Sequence, residues 1–439
     1  MNDERVAPSG INVRFFAIQS LGRILDDGDK AEVVLNQTAQ MSDMDGRDRA
    51  FLCELVLGVL RHYFSLEVDV SRFVNRKPPE EARLAMLIGA YQLRYMRVPV
   101  HAAVSETVSA LKFVQTHAAI HAAKMVNAVL RTLAESSPPD KLKPYQRAEL
   151  PRWIYQSWRA AWGEEVVQRL AAVLTTQPPL TLAIADAREA WIATANVEGL
   201  ETVAGEVAST AVLLPSGTSV PALPTFDEGG CWVMDQSAQL PILAAHALLG
   251  SVQGLWLDLC ASPGGKALLA ASLNPEATIL AVERSANRLP MLGENIARVA
   301  NGRVQMVQAD ASSLPMEKEL ADVIVLDAPC SASGIFRRHP DAKFLHSEMD
   351  VQKMALLQRQ LLLESARVLK VGGLLLFSVC SIHPQENEQL FTEMDALSLR
   401  ACALPPILKP FEIAPGMARL LPSETHDGFF IAMLHKVEQ

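Results

Sequence analysis

The chain has 439 residues, 49% hydrophobic and 20% charged, with a net charge of −9. That length calls for two or three domains, and the composition excludes a disordered polymer. The negative balance excludes a surface coated in positive potential, so any nucleic-acid contact must lie on a local basic face.

The six cysteines (Cys53, Cys231, Cys260, Cys330, Cys380 and Cys402) are scattered, with no C-x-x-C pair. Neither a metal site nor a disulfide framework is indicated. No segment approaches the roughly eighteen uninterrupted apolar residues of a membrane span. Met1 to Arg14 mixes acids and bases and lacks an apolar leader core. A cytoplasmic protein with no membrane partner is expected, by default a monomer.

From Asn12 to about Glu135 the pattern is helical, with apolar residues at three and four in Ile18, Leu21, Leu25 and in Leu52, Leu55, Val56, Val59, Leu60. Gly22, Gly58 and Gly89 inside these runs predict close helix packing. Pro78-Pro79 and Pro99 mark loops. Arg72, Arg76, Lys77, Arg94, Arg97, Lys112, Lys124 and Arg131 thread the second half of this bundle, either as a solvated face or as a nucleic-acid surface. Ser136 to Leu150 reads as a connector. Beyond it, Leu180 to Ile184 and Ala211 to Leu214 look extended, and Pro215, Pro221 and Pro224 make the close loop-rich. The expected division is a helical domain over 1–140, a linking α+β subdomain over 141–235 and an α/β domain over 236–439.

The α/β domain is organised around Leu255 to Lys266, an apolar run that ends in Pro263-Gly264-Gly265 and passes at once into an amphipathic segment. That is a strand, a tight loop and a helix, the opening unit of a doubly wound sheet. Ligands of such sheets bind beyond the strand ends. A P-loop, G-x-x-x-x-G-K-[ST], would need glycine at Cys260 and Ser or Thr at Ala267. The dinucleotide pattern G-x-G-x-x-G is also absent. Instead a second apolar run, Thr278 to Val282, closes on Glu283. An acid about twenty residues past a glycine turn suits a ribose diol, so an adenosine-bearing ligand without a pyrophosphate fits, and S-adenosylmethionine is the obvious one.

Further strands are predicted at Val304 to Gln308, Val323 to Leu326 and Leu374 to Phe377. A helix from Gln352 to Leu369 is stopped by Gly372-Gly373. Phe429 to Leu434 supplies a late strand, consistent with an antiparallel edge. Asp258, Glu283, Asp310 and Asp327 cap four successive strands, an in-phase pattern that predicts convergence on one crevice. Glu283 is assigned to the ribose and Asp310 to the adenine amino group; Asp258 either orders the glycine loop or faces the methionine end. Two strands also deliver cysteines, Cys330 and Cys380. A thiolate attacking C6 of cytosine makes C5 carbanion-like and able to accept a methyl group. A free thiol of pKa about 8.5 is mostly protonated at neutral pH, so the site must assist it.

Leu257-Asp258-Leu259-Cys260-Ala261-Ser262-Pro263-Gly264-Gly265-Lys266, Asp327-Ala328-Pro329-Cys330-Ser331 and Val379-Cys380-Ser381 closely resemble the RNA 5-methylcytosine methyltransferases of the Nol/Nop/Sun family. Arg338-His339-Pro340-Asp341 and Asp427-Gly428-Phe429-Phe430 also look like motifs of that family. The helical N-terminus resembles the RNA-binding domain of the antitermination factor NusB. The resemblance implies a Rossmann-like methyltransferase domain behind an all-α NusB-like domain. It implies that Cys260, Ala261, Ser262, Pro263, Gly264, Gly265 and Lys266, with Glu283, Asp310 and Asp327, hold S-adenosylmethionine. It further implies that Cys380 is the nucleophile, that Cys330 assists product release, and that Asp327 also contacts the flipped cytosine. Val379 stands where threonine is usual, Ser262 replaces a common alanine and Glu283 a common aspartate.

The leading expectation is methyl transfer to C5 of a cytosine in small-subunit ribosomal RNA. The same chemistry on transfer RNA, or a non-catalytic RNA-binding scaffold, are the alternatives; intact Cys330, Cys380 and the four acids speak against the scaffold.

Overall fold

The computed structural model describes residues 11–114, 116–185, 187–300, 302–392 and 397–438. Residues 1–10, most of the Met1–Arg14 stretch on which the leader expectation falls, lie outside them. The chain divides into two compact units, one running up to Thr176 and including Phe336–Ser347, the other Gln177–Ile335 with Glu348–Gln439. The division falls inside the 141–235 stretch expected as a linking subdomain. Its helical first part packs with the bundle, and its later part forms a small sheet.

The first unit is helical: Ile11–Leu25, Ala31–Met41, Gly46–Arg61, Tyr63–Ser71, Glu80–Tyr95, Val100–Phe113 and His117–Glu135, then shorter helices to Leu174. Asp45 starts one by accepting from Asp48 N at 2.8 Å, and Thr116 another by accepting from Ala119 N at 3.1 Å, the usual satisfaction of an orphan first-turn donor. Close packing holds at Gly58 and Gly89. A Cβ on Gly58 would lie 2.0 Å from Tyr91 Cζ, and one on Gly89 2.5 Å from Leu130 Cδ1. At Gly22 it would meet only Leu84 at 3.7 Å, so that glycine is not forced by packing. Arg94 is drawn into the bundle, its Nε 2.7 Å from the buried Asp69 carboxylate, which Arg72 also meets. Arg94 thereby ties the helices Tyr63–Ser71 and Glu80–Tyr95 together, while Arg72 closes on its own helix and donates to Ser137 O at 2.8 Å.

The inserted Phe336–Ser347 carries the Arg338-His339-Pro340-Asp341 motif. Asp341 Oδ2 accepts from Ala31 N at 3.0 Å, Arg61 Nε donates to Arg337 O at 2.9 Å, and Lys343 Nζ donates to Glu149 O at 3.0 Å. Lys343 is buried, and desolvation pulls its pKa down to about 8.

In the second unit, β1 (Leu180–Ile184), β2 (Val203–Ala204), β3 (Ala211–Leu214) and β4 (Cys231–Val233) form an antiparallel sheet of order β2-β3-β1-β4. The main sheet contains β5 (Gly254–Leu259), β6 (Ala277–Glu283), β7 (Val304–Gln308), β8 (Ala321–Asp327), β9 (Leu369–Val379), β10 (Leu399–Ala401), β11 (Glu412–Ala414), β12 (Met417–Leu420) and β13 (Phe429–Lys436). Its order is β11-β12-β13-β9-β8-β5-β6-β7, with β10 paired to β13. The β9-β8-β5-β6-β7 half is parallel. Alternate residues feed two cores: Trp256, Val323, Val325, Leu374 and Leu376 on one face, and Leu257, Leu259, Ile324, Leu326, Leu375 and Phe377 on the other. Each such buried side chain is worth roughly 1.5–3 kcal/mol, which fixes the register, because a one-residue slip would exchange the faces.

Two expectations are corrected here. The late strand β13 is antiparallel but interior, between β9 and β12; its residues Phe429 to Leu434 are all buried, as an interior position requires. Gly372-Gly373 does not stop the helix, which runs Glu348–Val368; both glycines lie within β9. The pairing with β8 shifts register between Ala321 and Val323. Gly372 takes φ +79° there, and a Cβ on Gly373 would press 2.9 Å from Asp322 O, so the pair serves a bulge.

Candidate active site

Strand order reverses around β5, whose neighbours β6 and β8 run to opposite sides, the topological position where a crevice opens. The β5 loop starts with Cys260 at φ +62° and turns through Gly264 at φ +107°. Gly264 begins the helix Gly265–Leu273, and a Cβ there would sit 2.9 Å from Leu292 Cδ1 as well as being strained.

Beyond β6 and β7 lies a cavity of about 300 Å³, lined among others by Cys260, Glu283, Arg288, Asp310, Pro329 and Leu361. Glu283 is buried; its Oε1 accepts from Ser285 N at 2.7 Å, whereas its Oε2 has no hydrogen-bond partner and lies 3.9 Å from Arg288. Asp310 Oδ1 is held by the hydroxyl and amide of Ser312, which pull its pKa down; its Oδ2 is 3.5 Å from Arg284. Cys260 is the opposite case. Burial, then the charges of Asp327, Glu283 and Asp258, push its thiol up to about 12, so it stays protonated beside this cavity.

Asp258 and Asp327 belong to a different cluster. Lys266 Nζ reaches Asp327 Oδ2 at 2.7 Å and lies 5.2 Å from the Phe429 ring centre. Asp327 Oδ1 accepts from Ser378 Oγ at 3.0 Å. Asp258 is buried beneath them, and neither of its oxygens has a partner of hydrogen-bond geometry. Desolvation raises its pKa to about 7 against the pull of Lys266, with Asp327 adding to the rise and the Ala267 N–H opposing it least. The four strand-end acids therefore split. Glu283 and Asp310 face the cavity, and Asp258 and Asp327 are grouped around Lys266. The orphan oxygen of Glu283, which lines the cavity, fits a ligand that carries hydroxyl donors, which S-adenosylmethionine does.

Cys330 and Cys380 follow the adjacent strands β8 and β9, and their Sγ atoms stand 3.4 Å apart. Cys330 has a pKa well above the ordinary thiol value, first through its hydrogen bond with Cys380, then through burial and the negative charges around it. Gly334 N donates to Cys380 O at 2.9 Å, and Gly428 N donates to Gly334 O at 2.9 Å. A Cβ on Gly334 would lie 2.3 Å from Gly428 O and 2.9 Å from Cys380 O. The Asp427-Gly428 motif thus touches the cysteine loops through backbone.

Sequence reasoning missed the polar group behind the cysteines. Ser331, Ser333, Ser381, Gln358 and Glu386 are all buried and mutually hydrogen-bonded. The available signal was a serine after each cysteine, with an acid shortly beyond.

Comparison with known proteins matches this architecture. The model described as 16S rRNA methyltransferase RsmB/F covers residues 246–435, and that of the NusB family covers 11–135. Ribosomal RNA small subunit methyltransferase B of Shewanella oneidensis is 31% identical across 97% of this chain and 99% of its own. The protein of that name from Klebsiella pneumoniae is 33% identical across 97% and 98%. Among solved structures, PH0851 shares the fold at a TM-score of 0.80 and 22% identity, covering 98% of this chain and 99% of its own. NSun6 from Pyrococcus horikoshii, solved with SFG, aligns at 0.57 and 20% identity over 66% of this chain and 99% of its own. This chain belongs to the ribosomal RNA small subunit methyltransferase B family, the RsmB/Sun group of methyltransferases that take S-adenosylmethionine as cofactor.

Proposed function

We propose that the chain methylates C5 of a cytosine in small-subunit ribosomal RNA through a covalent bond between Cys380 and C6 of the base. The observation that carries this reading is the 3.4 Å approach of Cys330 and Cys380. Two thiols in contact at neighbouring strand ends suit a reaction that forms and later breaks one bond. Cys330 holds its proton against ionisation, so its S–H is available to donate to a Cys380 thiolate. Cys380 attacks C6, and the electron pair moves to C5. S-adenosylmethionine supplies the electrophilic methyl group. Elimination then breaks the Cys380–C6 bond and restores the aromatic ring: the C5 proton passes to solvent, and the Cys330 S–H supplies a proton to the departing Cys380 thiolate. Asp327, anchored by Lys266 and Ser378, is the acceptor for the cytosine amino group and steadies charge on the ring. Glu283, with a buried oxygen that has no hydrogen-bond partner, accepts from the ribose hydroxyls, and Asp310 from the adenine amino group.

The ribosomal substrate is supported by the curated relatives, which are named for the small-subunit RNA. The test is methyl transfer from labelled S-adenosylmethionine to purified small-subunit RNA and to bulk transfer RNA, with bisulfite sequencing of the product. One 5-methylcytosine in the ribosomal RNA and none in transfer RNA is the expected result. Labelling confined to transfer RNA, or at an atom other than C5, would overturn the reading.

A further inference from the structure

Behind the cysteine pair lies a carboxylate that the chemistry above does not use. Glu386 is fully buried. Its Oε1 accepts from Ser331 N at 2.9 Å and from Gln358 Nε2 at 3.0 Å. Its Oε2 accepts from the hydroxyls of both Ser331 and Ser381. Ser331 directly follows Cys330, and Ser381 directly follows Cys380. The two hydroxyls are 3.1 Å apart, and Ser333 Oγ, 3.0 Å from Ser381 Oγ, accepts from Ile382 N at 2.9 Å. Gln358 also donates to Pro329 O at 2.8 Å, on the other side of Cys330.

Burying a carboxyl group costs several kcal/mol unless its oxygens are fully satisfied. Here all the donors come from the two cysteine loops or from the helix that braces one of them. Hydrogen bonds to a carboxylate are short and directional, so the carboxylate carbon fixes where both serines sit. The cysteines are each one residue away. We propose that Glu386 is a positioning residue that sets the separation of Cys330 and Cys380 by gripping the serine after each. The inference rests on the two-cysteine reading for its catalytic consequence, but its geometric content stands apart from it.

Two conservative variants separate geometry from charge. Glu386→Gln keeps the length: its carbonyl oxygen can take the place of Oε1, and its amide can donate to two serine hydroxyls that turn to accept. Glu386→Asp keeps the charge and is one methylene too short to reach both loops. The measurement is the rate at which diamide oxidises Cys330 and Cys380 to a disulfide, read by peptide mass. Two thiols lose two hydrogens, the azo bond gains them as a hydrazine, and an S–S bond forms. Single-turnover methylation and the RNA KM are measured alongside.

The positioning role predicts that Glu386→Asp slows cross-linking and lowers kcat, the latter by about 100-fold as expected for a misplacement on the order of 1 Å, with KM nearly unchanged. Glu386→Gln should stay within about threefold of the parent on both, since its hydrogen bonds are replaced and not lost. The reverse order, Asp like the parent and Gln impaired, would overturn the proposal, as would parental cross-linking in both. Slower cross-linking with undiminished methylation would support Glu386 as the spacer and instead contradict the two-cysteine chemistry. Should Glu386→Asp fail to fold, the double variant Ser331→Ala/Ser381→Ala removes both hydroxyl grips and must slow cross-linking in the same way; parental rates there would overturn the proposal.

Discussion

The two halves of the strand-end crevice are built on different principles. The half beyond β6 and β7 is an open cavity where Glu283 Oε2 has no hydrogen-bond partner and Asp310 Oδ2 has only a 3.5 Å contact with Arg284. The half beyond β8 and β9 places its cysteines over a closed polar group in which Glu386, Ser331 and Ser381 satisfy one another. A cofactor that must enter and leave is served by unsatisfied donors and acceptors waiting for a partner. Two thiols whose separation matters are served by a network whose central carboxylate has both oxygens satisfied. Lys266 and the buried Asp258 lie between these regimes.

The largest expected effect is at that junction. Lys266→Met removes the cation that faces both Asp327 and Asp258, leaving the buried Asp258 and the part-exposed Asp327 without it. A loss of about 3–5 kcal/mol in urea unfolding is expected. Parental stability would show that the junction carries no charge balance.

Asp258 sharpens the contrast through pH. Its folded pKa of about 7 lies above the unfolded value of about 4, so the folded state binds the extra proton between them. Its contribution is fully present below pH 4 and is lost as pH rises through 7. Between pH 5 and pH 8 the cofactor-free protein should lose stability that Asp258→Asn does not, a differential on the order of 3 kcal/mol at 1.36 kcal/mol per unit. Parallel curves for the two proteins would count against a strained acid at this site.

Smaller still is the effect on the open side. Glu283→Ala should weaken S-adenosylmethionine binding by roughly 1–3 kcal/mol, the cost of ribose hydroxyls left without an acceptor, while leaving diamide cross-linking of the cysteines unchanged. Titration calorimetry with unaltered affinity would remove Glu283 from the cofactor site.

How much of this could be read from sequence follows the same divide. The β5 run, its glycine turn and the acid closing β6 follow from periodicity and turn chemistry, because a strand end and a left-handed glycine leave local marks. The in-phase acids were legible as a set, but not their separation into a cavity pair and a Lys266 group. That separation depends on which way each side chain leaves its loop. Gly372-Gly373 misled because a glycine pair after a helical pattern marks a stop as readily as a bulge, and the register shift that decides it lies on β8. Glu386 had only a faint local mark, an acid shortly after the Cys380-Ser381 pair. Its partners come from residues 331, 358 and 381, and only the sheet brings them together.

The central claim is that Cys380 attacks and Cys330 releases, and trapping the RNA tests it most directly. Cys330→Ala, incubated with small-subunit RNA and S-adenosylmethionine, should give a protein–RNA band that survives denaturing electrophoresis, because the bond forms and is not broken. Cys380→Ala and the double variant should give none. A trapped band with Cys380→Ala and none with Cys330→Ala would contradict the assignment and exchange the two roles.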